Sequence, residues 1–389
     1  MKIDDKIPEF YLFGGPLQRL GVRLGLVREK TNSARLGFAL GLLAWGFLIL
    51  LAFLQGFGPK MFSLTVIGVH IRFLVAIPLF FICETLVVPR MQEFIRNIVR
   101  SDLVPESELP LLASGIRRIN RIKDSWLAEV VFLLVVFALP MFEMIFQVPG
   151  KTASWMWILD KTGGQLTWFN GWYLMFCLPL FRFLLLRWFW HLGLWWYFLW
   201  RVEKLKLQLI PTHSDGSAGL GYLEVVHEHF MPLALALSSV LSANFAEDIF
   251  SKTMVFETLY RLVPVVLFII AALFIGPLCI FFRKLWTSRV NGLNRYMILA
   301  SDYVQTFHHK WTSEIDVFTE THLGTPDIQS LADLTNSVSV IREMRCVPFT
   351  RRLIMELAVC VVLPMVPLLF MKFRFDQLIA GLFKVFTGQ

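Results

Sequence analysis

The sequence predicts an all-α fold, a polytopic transmembrane helical bundle of about seven spans carrying a cytoplasmic antiparallel helix pair. Three observations lead there. Of 389 residues, 56% are hydrophobic and 17% charged, where a soluble domain carries about 25% charged residues. The apolar residues are gathered into stretches long enough to cross a bilayer core, which takes about 20 helical residues. The basic residues, in excess at a net charge of +8, collect in alternate connecting segments, as the positive-inside rule demands and as nucleic-acid binding does not.

Residues 1–36 form the first element, an amino-terminal cytoplasmic segment. Within it Leu17, Leu20, Leu24 and Val27 fall on one helical face and Arg19 and Arg23 on another, which suits a helix lying on anionic headgroups or on the protein's own surface. The transmembrane domain, 37–282, holds six expected spans: Gly37 to Gly56, Leu64 to Val88, Leu127 to Gln147, Trp168 to Trp200, Phe230 to Phe245 and Leu259 to Phe282. The fifth is the shortest. A helical connector, 89–126, broken near Pro105 and Pro110, joins the second and third.

Residues 283–352 form a cytoplasmic helical hairpin. Trp286, Val290, Leu293, Met297, Ala300, Val304, Phe307 and Trp311 repeat at steps of four and three, so the sixth span is expected to run on as one long helix with a heptad seam. Thr325 as N-cap and Pro326 at the first helical position open the second helix. Its Leu331, Leu334, Val338 and Ile341 give the matching seam. The two seams satisfy each other or present a surface to a second copy of the chain. Residues 353–389 supply the last span, Leu353 to Met371, and an interfacial carboxyl-terminal helix. This topology puts the amino terminus in the cytoplasm.

Three segments, HSDGSAGLGYL (213–223), TPDIQSLADL (325–334) and MRCVPF (344–349), resemble those of a family of uncharacterised bacterial multi-pass inner-membrane proteins. That family carries, in the same order, HPDxxGGLGFL-like, SPDIQSLADL-like and MRxVPF-like elements. The chain departs from the pattern at Ser214, where proline is expected, and at Ala218, where glycine is expected. The resemblance implies a bacterial inner membrane and no particular chemistry.

Ionisable residues inside spans are costly and mark either a polar path or packing ion pairs. His70 and Glu84, and again Glu129 and Glu143, stand fourteen residues apart, which returns to nearly the same helical face about 21 Å along the axis. Arg187 and His191 share a face of the fourth span, with Arg182 nearby. The expected pairings are Arg187 with Glu84 or Glu129, and Arg182 with Glu143. A second cluster follows the fourth span. His213, Asp215, Gly216, Gly219 and Gly221 make a loop able to contact a headgroup or other anion. Glu224, His227 and Glu228 share a helical face with the residue types of a metal site, although a lone Glu-x-x-His is half of a di-iron motif. The tryptophans from Trp188 to Trp200 suit an interfacial belt or a stacking site. His308 and His309 suit a solvated surface.

The five cysteines form no CxxC pair, and no Walker A, GxSxG, HExxH or Rossmann motif occurs, so no catalytic residue and no cofactor are assigned. The expected function is a channel or transporter-like protein with a charged path among spans 2 to 4. The alternative is a scaffold or sensor subunit that binds a partner through the helix pair, and a membrane enzyme acting on lipid ranks last. Expected partners are anionic lipid headgroups, an ion or small solute, and a second copy of the chain.

Overall fold

A computed structural model describes residues 8–12, 33–56, 58–145, 168–311 and 326–371, with the side chains of residues 33 and 139–145 excepted. The amphipathic segment 17–27, the Thr325 cap and the interfacial carboxyl-terminal helix lie outside the described residues. We number the helical segments α1 (Ser33–Leu54), α2 (Leu64–Arg100), α3 (Leu109–Lys123), α4 (Trp126–Ile145), α5 (Trp168–Glu203), α6 (Tyr222–Phe250), α7 (Phe256–Cys279), α8 (Phe282–Trp311), α9 (Pro326–Glu343) and α10 (Arg351–Leu369).

Six of these, α1, α2, α5, α6, α7 and α10, are long and apolar enough to cross a membrane, and the chain is an integral membrane protein. Helix α4 supplies the remaining crossing by parity. Helix α2 ends beside the connector, yet α5 begins beside the α1–α2 turn, where the Phe169 amide reaches Gln55. Loops of like parity meet. On the basic face the Gln208 amide donates to the Leu103 carbonyl at 2.8 Å, and the Arg345 amide to that of Gly216 at 2.8 Å. The other face holds the α1–α2 and α6–α7 turns.

Helix α6 is the hub. The sequence underestimates it at Phe230 to Phe245 because Ser238, Ser239, Ser242 and Asn244 dilute its apolar run, but those polar groups serve packing. The Ser238 and Ser242 hydroxyls donate to the carbonyls of Val361 and Pro364 in α10, where Pro364 and Pro367 interrupt the ladder. Proline has a similar consequence in α7. Pro277 cannot donate to the Leu273 carbonyl four residues back, and the Trp196 indole N–H takes that acceptor at 3.2 Å. Two residues further, the helix breaks at 280–281 before α8 begins, so the expected single long helix is two.

Further corrections concern α2, α5 and α8. Helix α2 continues through Pro89 to Arg100, so the expected helical connector begins as an extension of the same helix. The break near Pro105 is present, whereas Pro110 sits in the first turn of α3, where a missing N–H costs nothing. Trp188 and Trp195 are buried core rather than interfacial belt. Trp195 packs against Phe10, Phe94 and Phe198. The heptad seam of α8 is divided, with Leu293, Ala300, Phe307 and Trp311 half-buried while Trp286, Val290, Met297 and Val304 stay exposed.

Candidate functional site: a polar cavity between two π turns

Helices α2 and α5 share a local irregularity. Each widens into a π turn, Ile71–Ala76 in α2 and Tyr173–Cys177 in α5. A proline follows each turn two residues on, Pro78 and Pro179. Proline removes one ladder bond and crowds the carbonyl four residues back, and a wider preceding turn relieves both. Such turns recur at functional sites. Here they meet. Arg72 and Tyr173 each stand six residues before their proline, and the Arg72 guanidinium donates to the Tyr173 hydroxyl at 2.9 Å and to Asn244 Oδ1 of α6 at 2.7 Å.

Gly41 of α1 permits this geometry, because a Cβ there would run into the Phe73 carbonyl oxygen of the α2 π turn. Glu247 of α6 accepts the Gly68 amide at 2.7 Å, placing a carboxylate beside the first helical turn of α2. Of these groups Arg72, Asn244 and Glu247 line a cavity of about 440 Å³ between α2, α5, α6 and α7, within the range of small-molecule sites. Its polar end carries Arg72, Arg182, Asn244, Glu247 and Asp248, and its walls are apolar. Sequence reasoning found Arg182 and missed the others. The signal available was the equal offset of Arg72 and Tyr173 from a proline.

A pair of rings parts the cavity from a second, smaller space. Phe181 lines the cavity and stacks with Phe80 at 6.1 Å, which in turn contacts Trp188 at 6.4 Å. Behind them Glu84, Arg187 and His191 surround a second space of about 10 Å³, room for roughly one water. The expected pairing of Arg187 with Glu84 is present at 3.7 Å, with both side chains largely buried. Arg182 lines the cavity, and the side chain of Glu143 is outside the described residues. Glu129 occupies the first turn of α4 at the basic face. His70 is spent on structure, since its Nδ1 accepts from the Trp45 indole at 2.8 Å and its Nε2 is 2.7 Å from the Met61 carbonyl oxygen. The indole only donates, so Nε2 carries the proton toward Met61.

The 213–221 loop holds its own anion. The Asp215 carboxylate accepts the amides of Ser217 at 2.8 Å, Gly219 at 3.1 Å and Gly221 at 2.7 Å. The backbone nest that a phosphate would use is therefore filled from within. Burial alone would raise the Asp215 carboxyl, but the Ser217, Gly221 and Gly219 amides and nearby His213 outweigh it and hold the group below its ordinary value. His213 Nδ1 lies 2.9 Å from the Asp215 carboxylate. Gly216 and Gly219 adopt positive φ, as does Ala218 at 53°, a left-handed conformation that favours glycine.

Arg345 of the MRCVPF segment fastens this loop, donating to the Asp215 carbonyl at 2.6 Å and to Glu224 at 3.2 Å. Glu224 also accepts from the Thr350 amide at 2.9 Å and from the Thr350 hydroxyl. His227 packs between Trp195 and Phe230 with Nδ1 at the Leu223 carbonyl, and Glu228 is half-buried. Glu224 and His227 thus have other partners, and no group of three His, Cys, Asp or Glu suited to a metal ion occurs among the described residues. No protein-family model, curated protein or solved structure matches the chain.

Proposed function

We propose that this chain is a transporter of the bacterial inner membrane, oriented with its basic face in the cytoplasm and its cavity open to the opposite side. The supporting observation is the cavity itself: a charged, polar pocket within spanning helices, built on two π turns and parted from the space beside Glu84 and Arg187 by the Phe80–Phe181 ring pair. A continuous ion channel needs an uninterrupted polar path, whereas a pocket closed at one end suits alternating access, in which one face opens as the other shuts. Glu84, Arg187 and His191 then lie behind that ring pair.

Two measurements on protein in liposomes test this. Val240→Cys, which places a thiol in the cavity wall, is expected to react with a membrane-impermeant maleimide from the outer face well above the parent's background. The parent is expected to carry no steady ionic current. A sustained current would replace the transporter with a channel. A thiol at Val240 unreactive from both faces would mean a sealed cavity and favour the scaffold reading, which the exposed α8 stripe of Trp286, Val290, Met297 and Val304 also supports.

A further inference from the structure

The two ends of the cavity differ, and the difference names a class of ligand. At the polar end two guanidiniums, Arg72 and Arg182, share the lining with the carboxylates of Glu247 and Asp248. Guanidinium groups favour phosphate, and carboxylates favour an ammonium. Away from that end the wall is apolar and finishes at Phe189 of α5 and Ile269 of α7. Both line the cavity, and both are exposed, at 43% and 58%, so the cavity reaches the outside of the bundle between α5 and α7. The surface it reaches is hydrocarbon-facing, since Val265 and Phe268 beside Ile269 are exposed as well and α7 carries no charged residue after Arg261. A wholly water-soluble solute has no use for an apolar slot opening sideways among lipid tails. An acyl chain fits it.

We propose that the cavity takes a phospholipid with a zwitterionic headgroup, its phosphate at Arg72, its ammonium at Glu247 and Asp248, and an acyl chain leaving between Phe189 and Ile269. The inference rests on the transporter reading of the same pocket and names its substrate. The acidic pair supplies the selectivity, because an ammonium pairs with it whereas a headgroup that carries only negative charge leaves it unmatched.

The test uses full-length protein in detergent, with a tail-labelled phosphatidylethanolamine as probe, the phosphatidylglycerol analogue as the anionic comparison, and glycerophosphoethanolamine as the headgroup without tails. Saturable binding of the phosphatidylethanolamine is expected, with the anionic analogue at least about tenfold weaker. The tailless headgroup should compete at least about tenfold more weakly, the effect of losing roughly two buried methylenes. Ile269→Trp, on the exterior, should block lipid binding without lowering the unfolding temperature. Arg72→Gln, which keeps amide donors for Tyr173 and Asn244, should weaken it. Equal competition by the tailless headgroup would overturn the lipid and leave a pocket for a soluble zwitterion. Equal binding of both lipids would overturn the zwitterionic headgroup. If neither lipid nor headgroup binds folded protein whose Val240→Cys form still labels from outside, the substrate assignment falls and the transporter survives. Without that labelling, both fall.

Discussion

At the residue scale the structure separates charges that hold the protein together from charges that face a cavity. The pairing of Arg187 with Glu84 was legible in the sequence, because two charges in an apolar span need each other. What each loss costs follows from burial. Glu84→Leu or Arg187→Leu alone strands its partner and should cost about 3 kcal/mol or more, whereas the double change removes both desolvation penalties. Thermal unfolding in detergent should therefore show the double variant well short of the sum of the singles; additive losses would mean that the pair contributes no coupling. Asp215 behaves differently. The sequence suggested an anion site from three glycines and could not reveal that the aspartate already in the loop supplies the anion. Asp215→Asn replaces one acceptor oxygen by a donor facing backbone amides, and should cost about 2 kcal/mol. Its folded value lies below the unfolded one, near 3.8. The carboxylate's contribution is therefore complete above the unfolded value and disappears as pH falls through the folded value. An acid melt of the parent should lose this contribution while Asp215→Asn shows a correspondingly shallower dependence, and identical slopes would contradict the assignment.

At the element scale, the spans were readable because a bilayer demands long apolar helices, and the errors have one cause. Hydropathy records solvent preference and is blind to backbone hydrogen bonds. The serines that shortened the apparent α6 answer carbonyls of α10, and the prolines of α2, α5 and α7 each leave the ladder short of a donor. The π turns follow from the latter. A π turn holds one residue more than an α turn, so restoring α geometry would rotate everything on its amino-terminal side by about 100°. Pro78→Ala should restore the missing donor and turn Arg72 away from Asn244, so ligand binding in the cavity is lost and the unfolding temperature falls as the His70–Met61 and Gly68–Glu247 contacts break. Retained binding would show that the turn does not depend on the proline. Gly41→Ala probes the same contact from α1. Its methyl meets a backbone oxygen that cannot swing aside, so destabilisation by about 1–3 kcal/mol is expected in thermal unfolding, and a neutral result would show that α1 can move off α2.

At the scale of the whole molecule, the architecture is a bundle whose two faces are fastened unequally. On the basic face the connector, the 213–221 loop and the hairpin are tied through Leu103, Arg345 and Glu224. Toward the opposite face the helices part around a cavity. Between the cavity and the smaller space stands a layer only one ring pair thick, since Phe181 lines the cavity and Phe80, its stacking partner, lines the space beside Glu84 and Arg187. Removing one ring should join the two spaces. Phe181→Ala also costs about 3–5 kcal/mol through the void it leaves, so the informative comparison is with Phe181→Leu, which keeps most of the volume. Proteoliposomes holding the folded alanine variant should leak protons and small ions in proportion to protein content, while those holding the leucine variant should stay nearly as tight as the parent. If the alanine variant folds and remains tight, the barrier lies elsewhere and the ring pair is ordinary packing. If both leak, bulk at this position is insufficient and the stacked aromatic geometry itself is the seal.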